Sequence, residues 1–386
     1  SSGGKNKMTT YTCLNPIAKV GLDVLTDQYE AVESLADANV ALVRSAAMHD
    51  LDLPDSLVAV ARAGAGVNNI PLPKCADKGI VVFNTPGANA NGVKELAMAG
   101  LLLASRNIVG GCGWVQDNAD DENLSKSVEK GKKAFAGSEI MGKKLGVIGL
   151  GAIGVLVANA ANALGMEVYG YDPFLSPKAA WNVNSDVTFV PDVEELYGLC
   201  DYLTIHVPLL DSTKGMINKD SIAKMKDGVK FLNFSRDTLV NDNDMLEALE
   251  SGKVGCYVTD FPNPTIVKGK NVVAIPHLGA STAESEDNCA IMAAKEIRDY
   301  VENGNIVNSV NYPAVSLGAK GGNRVAVLYK SADSLQSAVE GVLGGSIVKI
   351  ADAKRGEYGY CLAEISGEAD EAALKALEGV LKVRTI

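Results

Sequence analysis

Residues 145–172 constrain this chain more than any other stretch. Leu145-Gly-Val-Ile148 is apolar, and Gly149-x-Gly151-x-x-Gly154 follows at once. A run of this kind predicts a buried parallel strand. The first glycine then makes a tight turn, the second lets backbone approach a pyrophosphate, and the third lets a helix pack on the strand. Val155–Leu164 predicts that helix, with its N-terminal N–H groups and positive dipole end facing the phosphates. Glu167–Asp172 predicts the next strand, closed by an acid that can accept hydrogen bonds from an adenosine ribose. The Asp172 carboxylate repels a 2′-phosphate, and Pro173-Phe174 follows in place of an arginine, so NAD is favoured over NADP. Strand, glycines, helix, strand and terminal acid in that order separate this stretch from an ordinary glycine-rich turn.

The remaining chain supplies a setting for such a module. Its 386 residues suffice for two to four domains with their own cores. From Tyr11 to about Val93, the strand candidates Tyr11–Leu14, Val40–Val43, Leu57–Ala61 and Ile80–Phe83 alternate with helical or loop stretches. This rhythm predicts a small parallel sheet covered by helices. A turn-rich loop from Asn84 leads into an apolar helix, Glu95–Ser105, which is expected to carry the chain towards the dinucleotide module. Beyond that module Val187–Val190, Tyr202–Val207, Lys230–Phe234, Gly255–Thr259 and Val272–Ile275 complete a doubly wound sheet of about seven strands, with a helix at Asp242–Glu250. A long helix, Ala283–Glu302, then returns the chain to the first domain. Residues 323–386 read strand, helix, strand, strand, helix, strand, the order of a split, ferredoxin-like unit, with Gly318–Gly322 as its linker.

Charge and cysteine usage narrow the partners. A net charge of −11 argues against nucleic acid and anionic membranes, so an anionic substrate needs a local basic pocket. The seven cysteines are scattered, with no C-x-x-C pair, which fits reduced thiols in a cytoplasmic protein and no metal site. The longest apolar run, Leu96–Ala104, is far too short for a membrane span. Residues 1–7, before Met8, have the look of an added lead-in.

Chemistry at a nicotinamide needs a proton carrier and a positive group that orients the substrate. Of three histidines, His277 in Pro276-His-Leu-Gly-Ala-Ser-Thr282 stands just past an apolar strand, at the sheet edge where open α/β sheets place ligands. His206, before Pro208, fits a structural or cofactor-lining role, and His49 beside Asp50 fits neither. Arg236 follows the strand Phe231–Ser235, where a guanidinium can grip a carboxylate through two parallel hydrogen bonds. Asp260 ends another strand and can accept from a carboxamide or simply cap its turn.

These stretches resemble the D-2-hydroxyacid dehydrogenase family over nearly the whole chain from Tyr11. The matching segments are Val43-Arg-Ser-Ala46, Ala61-Arg-Ala-Gly-Ala-Gly-Val-Asn-Asn69, Asn84-Thr-Pro, Val93-Lys-Glu-Leu96, the glycine motif, His206-Val-Pro-Leu-Leu, Asn233-Phe-Ser-Arg236 and Pro276–Thr282. The resemblance implies two Rossmann-like, parallel-sheet α/β domains, a split substrate domain (8–93 and 283–315) and an NAD-binding domain (94–282). It also implies an ACT-type regulatory or assembly domain at 323–386. It assigns the carboxylate to Arg236 and acid/base work to His277. NAD contacts fall to Gly149, Gly151, Ala152, Ile153, Gly154, Asp172, His206, Val207, Pro208, Ser235, Asp260 and Gly279. Substrate contacts fall to Arg44, Ser45, Arg62, Gly66, Val67 and Lys94. The tail favours members that oxidise 3-phospho-D-glycerate to 3-phosphohydroxypyruvate, the first step of serine synthesis, and homodimers or larger assemblies are implied as well.

Three departures from the family stand out. No acid follows Asp260 in the short Phe261–Lys270 stretch, where the family carries a glutamate that pairs with the histidine. Asp237, in a slot usually filled by glycine, is the candidate replacement, with Asp260 itself or no partner as alternatives. Lys94 stands where a small residue is usual, so Arg44, Arg62 and Lys94 form the expected basic pocket. The tail's first loop, Lys330–Ser334, lacks the glycine that binds a regulatory amino acid, which points to an assembly role. Two other readings stay open: a dehydrogenase or reductase of a non-phosphorylated 2-hydroxy or 2-keto acid, and an NAD-sensing protein without turnover.

Overall fold

The computed structural model describes residues 7–386; Ser1–Asn6, on which most of the expected lead-in falls, lie outside the described residues. Packing divides the chain into two units, 1–88 with 286–386 and 89–285.

The first unit opens with a parallel sheet of β1 (Thr9–Cys13), β2 (Tyr29–Ala31), β3 (Val40–Val43), β4 (Ala59–Arg62) and β5 (Val81–Phe83), ordered β2-β1-β3-β4-β5. Strand β3 is buried along its whole length, as an apolar strand covered on both faces must be. The short edge strand β2 was not legible in the sequence, because three residues with one buried side chain carry no period.

The second unit holds β6 (Lys144–Ile148), β7 (Glu167–Tyr171), β8 (Thr188–Phe189), β9 (Tyr202–Ile205), β10 (Val229–Asn233), β11 (Val254–Thr259) and β12 (Val272–Ala274). Their order is β12-β11-β10-β9-β6-β7-β8, all parallel, so the strand order switches from one side of β6 to the other between β7 and β9. Ligands of open α/β sheets bind at such a switch point, beyond the strands' C-terminal ends. The expected helix at Glu95–Ser105 runs instead from Ala90 to Ser105 and belongs to this unit. Its Val93, Ala97 and Leu101 share a core with Leu232 and Phe234. Two further helices, Ile108–Asp117 and Leu124–Gly131, were not foreseen; neither buries a residue. Among the described residues no single helix is long and apolar enough to cross a membrane, and no cluster of His, Cys, Asp or Glu is arranged to hold a metal ion.

The tail returns to the first unit. Its antiparallel sheet of β13 (Asn323–Lys330), β14 (Ile347–Arg355), β15 (Tyr358–Ile365) and β16 (Val380–Thr385) is ordered β14-β15-β13-β16, the arrangement of a βαββαβ unit. One face packs Val325, Val327 and Cys361 under helices Gln336–Leu343 and Glu371–Lys375. The other face sends Ala326, Leu328, Tyr360 and Leu362 into the core of the first unit, against Tyr300 and Tyr312. The Gly318–Gly322 stretch is not a free linker. Arg324, 1% exposed, donates to the carbonyls of Asn303, Leu317, Gly318 and Ala319 and pairs with Glu364 at 3.2 Å. A buried guanidinium needs all its donors satisfied, and here the connecting backbone satisfies them.

Candidate functional site

The glycine turn between β6 and the helix Ala152–Ala163 gives its three glycines different surroundings. Gly149 adopts φ +95°, and a side chain there would lie 2.3 Å from the His206 carbonyl oxygen. A side chain at Gly154 would sit 1.9 Å from the Gly149 oxygen, so only glycine lets this helix start so close to the turn. At Gly151 a side chain would meet nothing within 4 Å. The backbone there faces open space, next to the first-turn N–H groups of Ala152 and Ile153. Asp172, at the end of β7, accepts from the N–H of Leu150 and of Phe174, both at 2.8 Å. It thereby fastens the glycine turn and keeps lone pairs free for a hydroxyl donor.

The other candidate residues follow successive strands along the same edge. His206 and Val207 follow β9, Ser235 and Arg236 follow β10, Asp260 follows β11, and His277 follows β12. The imidazole of His206 shares a hydrogen bond of 2.7 Å with Thr204 Oγ1, and its other nitrogen is buried without a partner. Burial pushes its pKa down to about 4, so it stays neutral and lines the turn rather than carrying protons. Pro208 offers its carbonyl to Thr213 Oγ1 at 2.6 Å, which closes the loop after β9.

A side chain absent from the expected site controls the turn after β10. Asn233, fully buried, donates to the Arg236 carbonyl at 2.9 Å and accepts from the Ser235 N–H at 3.2 Å. Thr259 Oγ1 donates to the Asn233 carbonyl, and Ser235 Oγ donates to the Val207 carbonyl at 2.8 Å. The Arg236 side chain is exposed and donates to the Ser235 carbonyl at 2.7 Å. The available signal was an amide at the end of an apolar strand, where a buried polar group must find partners.

His277 is exposed, with its ring 4.9 Å from that of Phe261. Asp260 is 1% exposed, and burial raises its pKa while the nearby His277 and the Gly279 N–H oppose the rise. Its Oδ1 is buried without a hydrogen-bond partner, an acceptor still to be satisfied. Gly279 leaves room for this carboxylate, since a side chain there would stand 3.3 Å from Asp260 Oδ2 and 3.2 Å from Val93. Asp237 stands elsewhere: its carboxylate accepts from Asn263, which also donates to Asp242, and the structure gives it no contact with His277. Asp260 is thus the carboxylate in the field of this histidine, because β11 and β12 are neighbours whereas Asp237 turns towards the loop after Phe261. Lys94 is half-buried, beside Val93 near the start of its helix.

The remaining candidates lie in the first unit. Arg44 follows β3 with its backbone held by three side chains: Asn15 accepts its N–H at 2.8 Å, while Arg62 Nε and Asn69 Nδ2 donate to its carbonyl at 2.8 and 3.0 Å. Gly66 lies beside the Arg62 guanidinium, Val67 is half-buried, and Ser45 is exposed. His49 meets only the Asn68 carbonyl, at 2.8 Å.

The second unit suits a dinucleotide on the observations above: an open glycine cradle at a helix N-terminus, a strand-end carboxylate, and an orphan acceptor at Asp260. Comparison with known proteins gives the same direction. Residues 98–279 match the model of the D-isomer specific 2-hydroxyacid dehydrogenase, NAD binding domain. The chain is 34% identical over 317 residues to D-3-phosphoglycerate dehydrogenase of Rattus norvegicus, covering 79% of this chain and 57% of that protein. It is 38% identical over 283 residues to hydroxypyruvate reductase of Thermotoga maritima, covering 69% of this chain and 86% of that one. Its fold is similar to that of the NAD+-bound 3-phosphoglycerate dehydrogenase of Entamoeba histolytica, with a TM-score of 0.61, 26% identity, and coverage of 79% and 99% of the two chains. The chain thus spans little more than half the length of the rat protein.

Proposed function

Because the chain belongs to the D-isomer specific 2-hydroxyacid dehydrogenase family, with that family's NAD-binding domain, we propose that it oxidises 3-phospho-D-glycerate to 3-phosphohydroxypyruvate. NAD would be held by the glycine turn, by Asp172 at the ribose, and by Asp260 Oδ1 accepting from a carboxamide N–H; when bound, it supplies the hydride acceptor. Arg236 holds the substrate carboxylate, in the orientation that Asn233 imposes on its turn. An imidazole nitrogen of His277 takes the 2-hydroxyl proton as the C2–H bond breaks with its electron pair and the C2 carbonyl forms. Asp260 is the neighbouring carboxylate, and the charge on that ring opposes the rise that burial imposes on its pKa.

The observation that carries the phosphorylated substrate is the Arg44–Arg62 pair. A chain of net charge −11 has fixed the backbone of one exposed arginine with three side chains and set a second against it. That is provision for an anion beyond a single carboxylate. We extend the reading to an ACT-type identity for the tail, a homodimer or larger assembly, and a cytoplasmic setting. A second reading, reduction of hydroxypyruvate or a similar 2-keto acid, is favoured by the larger share of its own length, 86% against 57%, over which the Thermotoga maritima relative is matched. Following NADH absorbance separates the two. Turnover of 3-phospho-D-glycerate well above that of D-glycerate supports the first reading, and the reverse order, with hydroxypyruvate consumed from NADH, supports the second.

A further inference from the structure

Arg44 makes one ion pair, and it is with an acid that nothing above assigns a role. Its Nη2 lies 3.2 Å from Glu286 Oε1, at side-chain exposures of 44% and 53%. Glu286 stands in the first turn of helix Ala283–Asn303, where the helix dipole favours a negative charge. The same helix presents Cys289 one turn later, against Thr85 and in the field of Arg44 and Arg62. The described surroundings of the Arg44 head group are therefore Arg62, Glu286 and a buried neutral thiol.

Two roles compete for Glu286. As a positioning group it would aim Arg44, and losing it would weaken anion binding. An exposed ion pair contributes little, however, and the Arg44 backbone is already fixed by Asn15, Arg62 and Asn69. As a competing charge it cancels one of the two positive charges an incoming anion would meet. A full charge about 6 Å from a dianion in a water-like medium changes affinity by roughly tenfold, less after screening. The second effect outweighs the first.

We propose that Glu286 is a specificity-determining counter-charge: it occupies Arg44 until an anion displaces it, and so holds down the affinity of the Arg44–Arg62 site for dianions relative to monoanions. This rests on the reading that these two arginines receive the substrate's phosphate. The discrimination follows from charge, since repulsion by Glu286 acts about twice as strongly on a dianion as on a monoanion.

Calorimetric titration of the full chain with inorganic phosphate at pH 8 and with nitrate, at constant ionic strength, tests it. Glu286→Gln should tighten phosphate about three- to tenfold and nitrate by visibly less, while Glu286→Asp, which keeps the charge, should stay near the parent. Weaker or unchanged phosphate binding in Glu286→Gln would overturn the proposal, and so would Glu286→Asp behaving like the glutamine variant. Arg44→Met tests the underlying reading separately. If it leaves phosphate binding intact, the arginine site itself is wrong. If it abolishes binding and Glu286→Gln brings no gain, only the counter-charge role fails.

Discussion

The amide of buried Asn233 donates to the Arg236 carbonyl at 2.9 Å, so the turn bearing the candidate carboxylate anchor is fastened from inside the sheet. Asn233→Ala removes that donor and leaves the Arg236 and Ser235 backbone groups without their buried partner. The expected result is a ten- to hundredfold loss of kcat/KM, mostly through KM, with a destabilisation of about 1–3 kcal/mol. Steady-state kinetics and denaturant unfolding check the two parts.

His277→Ala should lower kcat/KM by about 10²–10⁴, the range for a positioned general base. A loss under tenfold would remove it from that role.

The two carboxylates near the turn can be told apart. Asp260→Asn removes the buried carboxyl group whose pKa burial raises, and should shift the acidic limb of the pH–rate profile and weaken NADH binding. Asp237→Asn should leave the profile in place, because Asp237 is engaged by Asn263. If Asp237→Asn moved the limb and Asp260→Asn did not, the assignment would be reversed.

The glycines divide between folding and binding. Gly154→Ala places a carbon 1.9 Å from the Gly149 oxygen, and should destabilise the second unit by about 1–3 kcal/mol as well as abolish NADH binding. Gly151→Ala meets no protein atom and should keep its melting temperature while losing NADH affinity. Melting curves with and without NADH distinguish the two.

Glu296 is 7% exposed, and burial raises its pKa to about 8 against a smaller lowering by the Asn308 side chain. The folded chain therefore keeps a proton that the unfolded chain releases near 4.5. The resulting penalty is absent below pH 4.5, grows as pH rises to about 8, and is constant above. Glu296→Gln should stabilise the chain by a few kcal/mol at pH 8.5 and by almost nothing at pH 4.5. Equal melting temperatures at the higher pH would contradict this.

Legibility in the sequence tracked the length and regularity of each signal. The seven strands of the second unit were visible because parallel strands buried on both faces read as continuous apolar runs, and the glycine spacing fixed where they open. Strand β2 and the helices at 108–117 and 124–131 escaped because none has a clear buried stripe. Arg236 and His277 could be placed at strand ends from local pattern alone. Asn233 could not, since its role depends on partners that a strand's periodicity does not encode. Asp237 is the expected stand-in for the family's missing glutamate because it fills a slot usually held by glycine. Adjacency in the sheet, where β11 lies beside β12, points to Asp260 instead.

The Arg324 clamp has a mechanical consequence. The guanidinium ties β13 to the carbonyl of Asn303, the last residue of helix Ala283–Asn303, and that helix carries Glu286 in its first turn. One buried side chain thus joins the tail sheet to the helix whose other end reaches the Arg44 contact. In this chain the C-terminal module is geared to the rest of its unit rather than hung from it.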